Sequence, residues 1–325
     1  MKHLTILIPE GSNNLSSIVG AYKIFTRANE YWKSLGNESR FCIELAGNDR
    51  EINLYEGIFA IRPHRQVAEI RKTDLVIIPA MRNGFAEIPE ANREMVAWIA
   101  DQYRGGAALA SICTGAFLLA ATGLLDGRTC STHWMAADQF RRMFPKVNLV
   151  TDRIITDEHG ICTNGGAYSF LNLMLYLVEK FFDRRTALFC AKVFQIEPDR
   201  ESQSLFTIFT GQKDHDDAVI REAQLYIEQH ADDRISMEDL AARFAVGRRN
   251  FDRRFKKATG NTPAEYQQRV KVEKAKKSLE STRKNINEIM YESGYNDVKA
   301  FRTIFRKFTG LSPLEYRNKF FKVPY

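Results

Sequence analysis

Cys113 is the residue whose type and position could do chemistry. It follows the apolar run AALASI and precedes AFLLAATGLL, whose large side chains fall near one helical face, so we predict a strand, a tight turn and a helix. At a helix N-terminus, backbone N–H groups and the helix dipole favour an anion, and we expect them to lower the thiol pKa. Three roles stay open for Cys113: a nucleophile, the floor of a ligand pocket, or a buried core thiol.

The uncharged stretch around Cys113 raises the question of a membrane span. Residues 105–125 carry no charged side chain, and about 20 apolar residues cross a bilayer. The stretch is rich in Ala, Gly, Ser and Thr, however, which transfer weakly into lipid. The N-terminal MKHLTILIPEG is typical of a first strand rather than of a secretory signal. We therefore expect a cytoplasmic protein with no membrane contact.

The cysteines do not have the spacing of a metal site. The five of them are an odd number and show no paired C-x-x-C pattern. We therefore expect reduced thiols, no metal and no cofactor.

Strand and helix patterns alternate through residues 1–195. The run TDLVIIPA suits a strand buried on both faces, and ANREMVAWIADQYRGG suits an amphipathic helix that ends at a glycine pair. This order predicts an α/β domain of flavodoxin-like type, with a mostly parallel sheet and helices on both faces. In such sheets the ligand crevice lies at the carboxyl ends of the strands, which is where the turn at Cys113 would be.

Positive charge is concentrated in the last third of the chain. Residues 1–216 hold 24 Lys+Arg and 25 Asp+Glu, whereas residues 217–325 hold 23 and 15, which gives net charges of −1 and +8. A basic module beside a neutral one indicates a polyanionic partner, with a solvated Lys-rich surface as the alternative.

An internal repeat favours the polyanion. The segment NFDRRFKKATGNTPAEYQQRV from Asn250 aligns with AFRTIFRKFTGLSPLEYRNKF from Ala300 at a constant offset of 50. Each copy predicts a helix-turn-helix unit, over 236–260 and 286–310, and the unbroken helical pattern from Pro263 predicts a long helix between them. The second helix of such a unit enters the major groove of DNA.

Each predicted second helix has a phenylalanine face for the core and a polar face for DNA. Arg pairs with guanine and Asn with adenine, and other basic side chains hold phosphates. The candidate DNA contacts are Arg248, Arg249, Asn250, Arg253, Arg254 and Lys257 in the first unit and Lys299, Arg302, Thr303, Arg306 and Lys307 in the second.

Residues 217–325 resemble the DNA-binding domain of AraC/XylS-type transcription regulators. GYNDVKAFRTIFRKFTGLSPLEYR, residues 294–317, follows the family signature almost throughout. The resemblance implies seven helices, two recognition helices placed in successive major-groove segments, action as an activator, and RNA polymerase as a candidate partner.

The N-terminal region resembles the PfpI/ThiJ superfamily, and the whole chain resembles the AraC-type regulators that carry this domain. The matching motifs are ICTGAFLLAATGLLDGRTCSTHW at 112–134 and TNGGA at 163–167. PfpI-type hydrolases have a histidine directly after the cysteine, where this chain has Thr114. The acidic position of the first helix region aligns with Ser17, and Glu10 is the nearby substitute.

These resemblances imply a non-catalytic sensor with ligand contacts at Cys113, Thr114, Gly115, Glu10 and His133. We predict a ligand-sensing domain over 1–199, a linker over 200–216 and a DNA-binding domain over 217–325. The expected protein is a homodimeric, metabolite-controlled regulator that binds double-stranded DNA. The alternatives are a cysteine-dependent hydrolase, hydratase or glyoxalase with DNA binding as a second role, and a redox sensor at Cys113.

Overall fold

The computed structural model describes residues 1–82, 84–198, 202–233 and 235–321. The chain forms two compact units, Met1–Gln203 and Ser204–Tyr325. The end of the predicted first domain, residue 199, and the start of the predicted linker, residues 200 and 201, lie outside the described residues.

A seven-stranded sheet is the centre of the N-terminal unit, in the order β10-β11-β7-β6-β1-β2-β5. All neighbours are parallel except β10 and β11. The strands of this unit are β1 (Lys2–Ile8), β2 (Phe41–Gly47), β3 (Ile52–Leu54), β4 (Phe59–Ile61), β5 (Arg65–Gln66), β6 (Leu75–Ile78), β7 (Ala108–Ser111), β8 (Thr129–Cys130), β9 (Asn148–Leu149), β10 (Ile155–Glu158) and β11 (Ile161–Asn164). The short strands pair separately, β3 with β4 and β8 with β9.

Helices cover both faces of the sheet. The helices are α1 (Leu15–Ser34), α2 (Ile88–Ala91), α3 (Arg93–Arg104), α4 (Ala116–Ala121), α5 (Ala137–Met143), α6 (Phe170–Phe181) and α7 (Arg184–Phe194). One core joins α1, α6 and α7 to the sheet, and a second joins α2 to α5 to its other face. All four residues of β6 are buried, as a strand between two helical layers requires. The predicted α/β class is confirmed.

The C-terminal unit is helical. Its helices are α8 (Ala218–Gln229), α9 (Met237–Arg243), α10 (Arg248–Thr259), α11 (Pro263–Ser281), α12 (Ile286–Glu292), α13 (Val298–Thr309) and α14 (Pro313–Phe320). These are the seven helices that the resemblance implied, counted over the described part of the unit. Helices α9 and α10 form the first helix-turn-helix unit, and α12 and α13 form the second.

The sequence repeat is a structural repeat. Phe251 and Phe255 of α10 are fully buried, and so are their equivalents Phe301 and Phe305 of α13. In both copies a threonine hydroxyl at the end of the helix donates to a phenylalanine carbonyl, at 2.9 Å in the first and 2.8 Å in the second. Both helices then end at a glycine in the left-handed region, with φ of 71° and 79°.

The segment that composition predicts as a linker packs on the C-terminal unit from Ser204 onward. Leu205 packs against the core around α13, and the ring of Phe209 contacts Tyr266 edge-on, with centroids 5.1 Å apart. Lys276 Nζ donates to the Thr207 carbonyl at 2.6 Å. The apolar residues of SLFTIF bury surface on the helices, and this is why the segment is not a free linker.

Among the described residues, no helix combines the length and the apolar character needed to cross a bilayer.

Two glycines of the second helix-turn-helix unit give a matched test of this packing. Gly294, with φ 75°, has the Asp232 and Ala231 carbonyls 2.7 and 2.9 Å from where a Cβ would lie, whereas Gly310, with φ 79°, has open space. Gly310→Ala introduces only left-handed strain and should lower the free energy of unfolding by about 1 kcal/mol. Gly294→Ala adds a clash with backbone and should lower it by about 3 kcal/mol. Hydrogen exchange of α13 measures both losses, and equal losses would contradict the clash.

Candidate functional site

The chain turns sharply between β7 and α4, as predicted. Cys113 has a φ of 55°, in the left-handed region that costs an L-residue about 1 kcal/mol or more. Residues Cys113–Gly115 form a 3₁₀ turn that leads into α4. At Gly115, a Cβ would lie 2.5 Å from the Pro79 carbonyl oxygen and 2.7 Å from that of Ile78. Glycine at this position lets the turn pack directly on the end of β6.

Thr114 fixes the turn to the loop after β6. Its hydroxyl donates to the Met81 carbonyl at 2.5 Å and accepts from the Met81 N–H at 2.9 Å. The backbone and side chain of Thr114 also act on the Cys113 thiol, and both lower its pKa. The residue that stands where the hydrolases have histidine is therefore a positioning residue here.

Burial controls the chemistry of the Cys113 thiol. Desolvation raises its pKa to about 11, and hydrogen bonds from Thr114 and from the His133 backbone only partly offset this. Taking a thiolate out of water costs more than these donors return. The expected lowering of the thiol pKa is wrong, and the neutral thiol dominates at physiological pH.

The other two predicted ligand contacts, Glu10 and His133, flank this region. The Glu10 carboxylate accepts from Asn48 Nδ2 at 3.1 Å, and the Glu10 backbone pairs with the Asn92 side chain. His133 Nδ1 accepts from the Met135 N–H at 3.2 Å, and burial lowers the pKa of its imidazole. Neither side chain has a described contact with the Cys113 sulfur.

Ser17 stands where an acidic residue was considered, and it holds backbone instead. The buried hydroxyl donates to the Asn14 carbonyl at 2.7 Å and accepts from the Ala80 N–H at 3.1 Å. It links the start of α1 to the loop after β6 and supplies no acid or base to the thiol.

The sequence did not predict a network of polar side chains that lies beside the turn. Thr132 donates its hydroxyl to the Cys113 carbonyl at 2.9 Å, and its own carbonyl accepts from Gln203 Nε2 at 2.9 Å. No motif marks Gln203, because it lies 90 residues beyond Cys113 in a polar stretch.

Basic side chains cover the outer faces of α10 and α13. The exposed members are Arg249, Asn250, Arg253, Lys257, Lys299, Arg302, Thr303, Arg306 and Lys307. Each lies opposite the phenylalanines that anchor its helix in the core. An outward basic face on the second helix of a helix-turn-helix unit matches the geometry of DNA docking.

Two of the predicted DNA contacts form ion pairs with carboxylates inside the unit. Arg248 donates to Asp252 at 3.0 Å and to Glu238 at 2.6 Å. Arg254 makes a two-pronged pair with Asp217, at 2.9 and 2.6 Å. Asp217 also caps α8, and the Arg254 hydrogen bond lowers its carboxyl pKa. The prediction of DNA contact therefore depends on the other nine residues.

Comparison with known proteins follows the same division. Residues 18–180, half of the chain, match the DJ-1/PfpI family. The chain belongs to the DJ-1/PfpI family. Residues 240–319 match a helix-turn-helix domain. A DJ-1/PfpI domain is thus joined to an AraC-type DNA-binding domain, as the sequence resemblances predicted.

The curated relatives are named as regulators. The HTH-type transcriptional regulator GbdR of Pseudomonas aeruginosa strain UCBPP-PA14 is 26% identical over 227 residues, 70% of this chain and 62% of GbdR. CdhR of P. aeruginosa strain PAO1, with the same description, is 27% identical over 253 residues, 76% of this chain and 73% of CdhR. The chain therefore covers less than two thirds of the length of GbdR.

A solved structure of a ThiJ/PfpI family protein from Pseudomonas syringae shares the fold. It has a TM-score of 0.51 and 19% identity, with coverage of 75% of this chain and 87% of that one.

Lys256 is a basic residue that the prediction of DNA contacts omitted. It is exposed on α10 and aligns with Arg306 of α13 at the repeat offset of 50. The repeat could have identified Lys256, because the aligned Arg306 is among the predicted DNA contacts.

The DJ-1/PfpI domain also brings together three side chains that sequence spacing could not join. Single donor atoms of His3, Cys42 and Glu44 lie within 4.8 Å of one another. His3 Nε2 and Glu44 Oε2 form a hydrogen-bonded pair at 2.9 Å. The group lies at the amino ends of β1 and β2, the opposite edge of the sheet from Cys113. It arises because parallel pairing places His3 beside Cys42.

A cavity of about 520 Å³ lies along α6 and α7 of the DJ-1/PfpI domain. Its walls are apolar at Leu175 and Leu188 and basic at Arg153 and Arg184. The five predicted ligand contacts do not line it. Its size is that of a site for a small metabolite.

The raised pKa of Cys113 gives a test by alkylation. We expect the rate with iodoacetamide, followed at Cys113 by peptide mass spectrometry, to rise about tenfold per pH unit from pH 7 to 10 without a plateau. At pH 7 the thiolate fraction is roughly three hundredfold below that of a free cysteine of pKa about 8.5. Glutathione is the control. A plateau near neutral pH would show an activated thiol and reinstate the enzyme hypothesis.

Proposed function

We propose that the protein is a cytoplasmic, sequence-specific transcription regulator that binds double-stranded DNA through α10 and α13 under the control of a small metabolite in the DJ-1/PfpI domain. This proposal rests on one observation. Helices α10 and α13 each expose a basic face, and equivalent buried phenylalanines hold each helix in the core. The names of the curated relatives support the same function.

The position of a residue along its helix suggests what it contacts. N-terminal residues of a recognition helix meet base edges, and later ones meet phosphates. On this basis Arg249 and Asn250 of α10 and Arg302 of α13 read bases. The basic residues nearer the helix ends, such as Lys257 and Lys307, hold phosphates. The net charge of +8 over residues 217–325 supplies the long-range attraction to DNA.

We further propose that the DJ-1/PfpI domain is a sensor and not an enzyme. A nucleophilic cysteine needs an ionised sulfur or a neighbouring base. Here burial raises the thiol pKa to about 11, and Thr114 holds backbone where a histidine would act. An effector in this crevice regulates the protein only if it binds the DNA-competent arrangement more tightly than the other.

Site selection from a random DNA pool tests the function. We expect full-length protein to enrich one site with two half-elements about one helical turn apart, and its affinity to fall steeply with salt. Binding without sequence preference would show that the helix-turn-helix units do not read DNA in this state.

Single substitutions separate base contacts from phosphate contacts. Arg302→Ala should reduce the binding free energy by about 1–3 kcal/mol and relax specificity at one base pair. Lys307→Ala should weaken binding to all sites alike and reduce the slope of log affinity against log salt by about 1. Arg254→Ala is the control, since its guanidinium is held by Asp217, and its salt slope should stay unchanged. Titrations by fluorescence anisotropy at several salt concentrations measure all three, and a reduced slope for Arg254→Ala would contradict the assignment.

We propose that the regulator acts as a homodimer and activates transcription through contact with RNA polymerase. Two subunits would double the number of recognition helices on one DNA site. Light scattering should give the mass of two 37.3 kDa chains without DNA, and that of two chains plus the duplex with DNA. A single-chain protein mass under both conditions would exclude the dimer.

A further inference from the structure

Gln203 is the last residue of the N-terminal unit and is almost completely enclosed. The residue is only 1% exposed to solvent. The Gln203 N–H donates to the Asp152 carbonyl at 3.0 Å, and the neighbouring Ser202 hydroxyl donates to the same carbonyl at 2.9 Å. A long polar side chain is rarely buried so fully, and here it reaches inward to the carboxyl edge of the sheet.

The glycines of TNGGA make room for this carboxamide. A Cβ at Gly165 would overlap Gln203 Nε2 and Ser131 Oγ, and Gly166 adopts a φ of 85° beside it. Strand β11 pairs with β7 so that Thr163 lies opposite Ser111. Gly165 therefore lies two residues past Thr163, as Cys113 lies two residues past Ser111 on the neighbouring strand. The cradle of Gln203 adjoins the turn at Cys113.

One peptide group connects Gln203 to Cys113. The Thr132 carbonyl accepts from Gln203 Nε2 at 2.9 Å. The N–H of the same peptide, which belongs to His133, acts on the Cys113 thiol and lowers its pKa. A donor on the carbonyl of a peptide polarises its N–H, so the two contacts reinforce each other.

The chain passes at once from this anchor to the DNA-binding unit. Leu205 packs against the core around α13, and only Ser204 separates it from Gln203. Gln203 is therefore two residues along the chain from a side chain that packs in the core of the C-terminal unit.

We propose that the cradle of Gln203 is a subsite of the effector crevice that takes a planar N–H donor group, and that the effector acts by displacing Gln203. Gln203 is the internal occupant in the absence of effector. The chemical class follows from the cradle: an N–H aimed at the Thr132 carbonyl and a flat group lying on glycine backbone, as in a primary carboxamide, a urea or an amidinium. The inference rests on the proposed function.

Propionamide has the same atoms as the glutamine side chain beyond Cα and is the probe. In full-length Gln203→Ala we expect affinity for the selected DNA site to rise at least fivefold, within the range of allosteric couplings. The rate of Cys113 alkylation should rise as well. Titrated propionamide should fill the vacated cradle and return the alkylation rate to that of the wild type, as a matched small molecule fills an engineered cavity. The DNA affinity should stay high, because residue 203 is no longer held in the cradle.

Two variants control for space and for general damage. Gln203→Glu keeps the volume but sets an acceptor against the Thr132 carbonyl, so it should behave like Gln203→Ala and resist rescue by propionamide. Ser202→Ala removes a neighbouring hydroxyl outside the cradle and should behave like wild type. Thermal unfolding verifies that each variant is folded.

The results separate this inference from the proposed function. DNA affinity that is unchanged in Gln203→Ala, or an alkylation rate in Gln203→Ala that propionamide does not lower, overturns the inference. If wild type selects no DNA site, the proposed function fails. Cys113 alkylation then decides the subsite alone, and a rate that neither rises in Gln203→Ala nor falls with propionamide overturns it.

Discussion

The left-handed backbone at Cys113 is the constraint around which the N-terminal unit is arranged. A β-strand can feed a helix at this angle only through a strained residue, and Cys113 has a φ of 55°. Contacts on three sides hold the strain: Gly115 against the end of β6, the Thr114 hydroxyl on Met81, and the Thr132 hydroxyl on the Cys113 carbonyl. One of these contacts comes from Thr114, the residue that stands where PfpI-type hydrolases have a histidine.

The contacts around Cys113 keep its thiol buried and link the turn to neighbouring loops by hydrogen bonds. Turns of this kind can present a nucleophile to solvent, but the residue at the turn here is buried and its sulfur stays protonated. The donors that would stabilise a thiolate are instead parts of a network that extends to the Thr132 carbonyl and Gln203. In the proposed sensor, an effector would exchange with one of these protein partners, and it would regulate only by binding one arrangement more tightly than the other.

Sequence reasoning succeeded where a pattern was local or repeated. The offset of 50 located both helix-turn-helix units, and a glycine such as Gly260 marked the helix end correctly. Predictions from the sequence were wrong where a side chain contacts residues far away in the chain. The ion pair of Arg254 with Asp217 and the burial of Cys113 depend on tertiary packing, which no local window contains. The segment from Ser204 onward looked polar overall, and its few apolar side chains decided its place.

The two halves of the repeat share a core but differ in how charge is used. Asp252 of α10 pairs with Arg248, and the equivalent position on α13 is the exposed Arg302. Arg254 of α10 is an ion-pair anchor for α8, whereas its equivalent Ile304 packs in the same apolar cluster as Leu205. Carboxylates therefore neutralise part of α10, and apolar contact leaves the basic residues of α13 to solvent. The two copies share a fold, and four basic residues of each helix have no described ion pair: two of the six on α10 pair with carboxylates, and none of the four on α13 does.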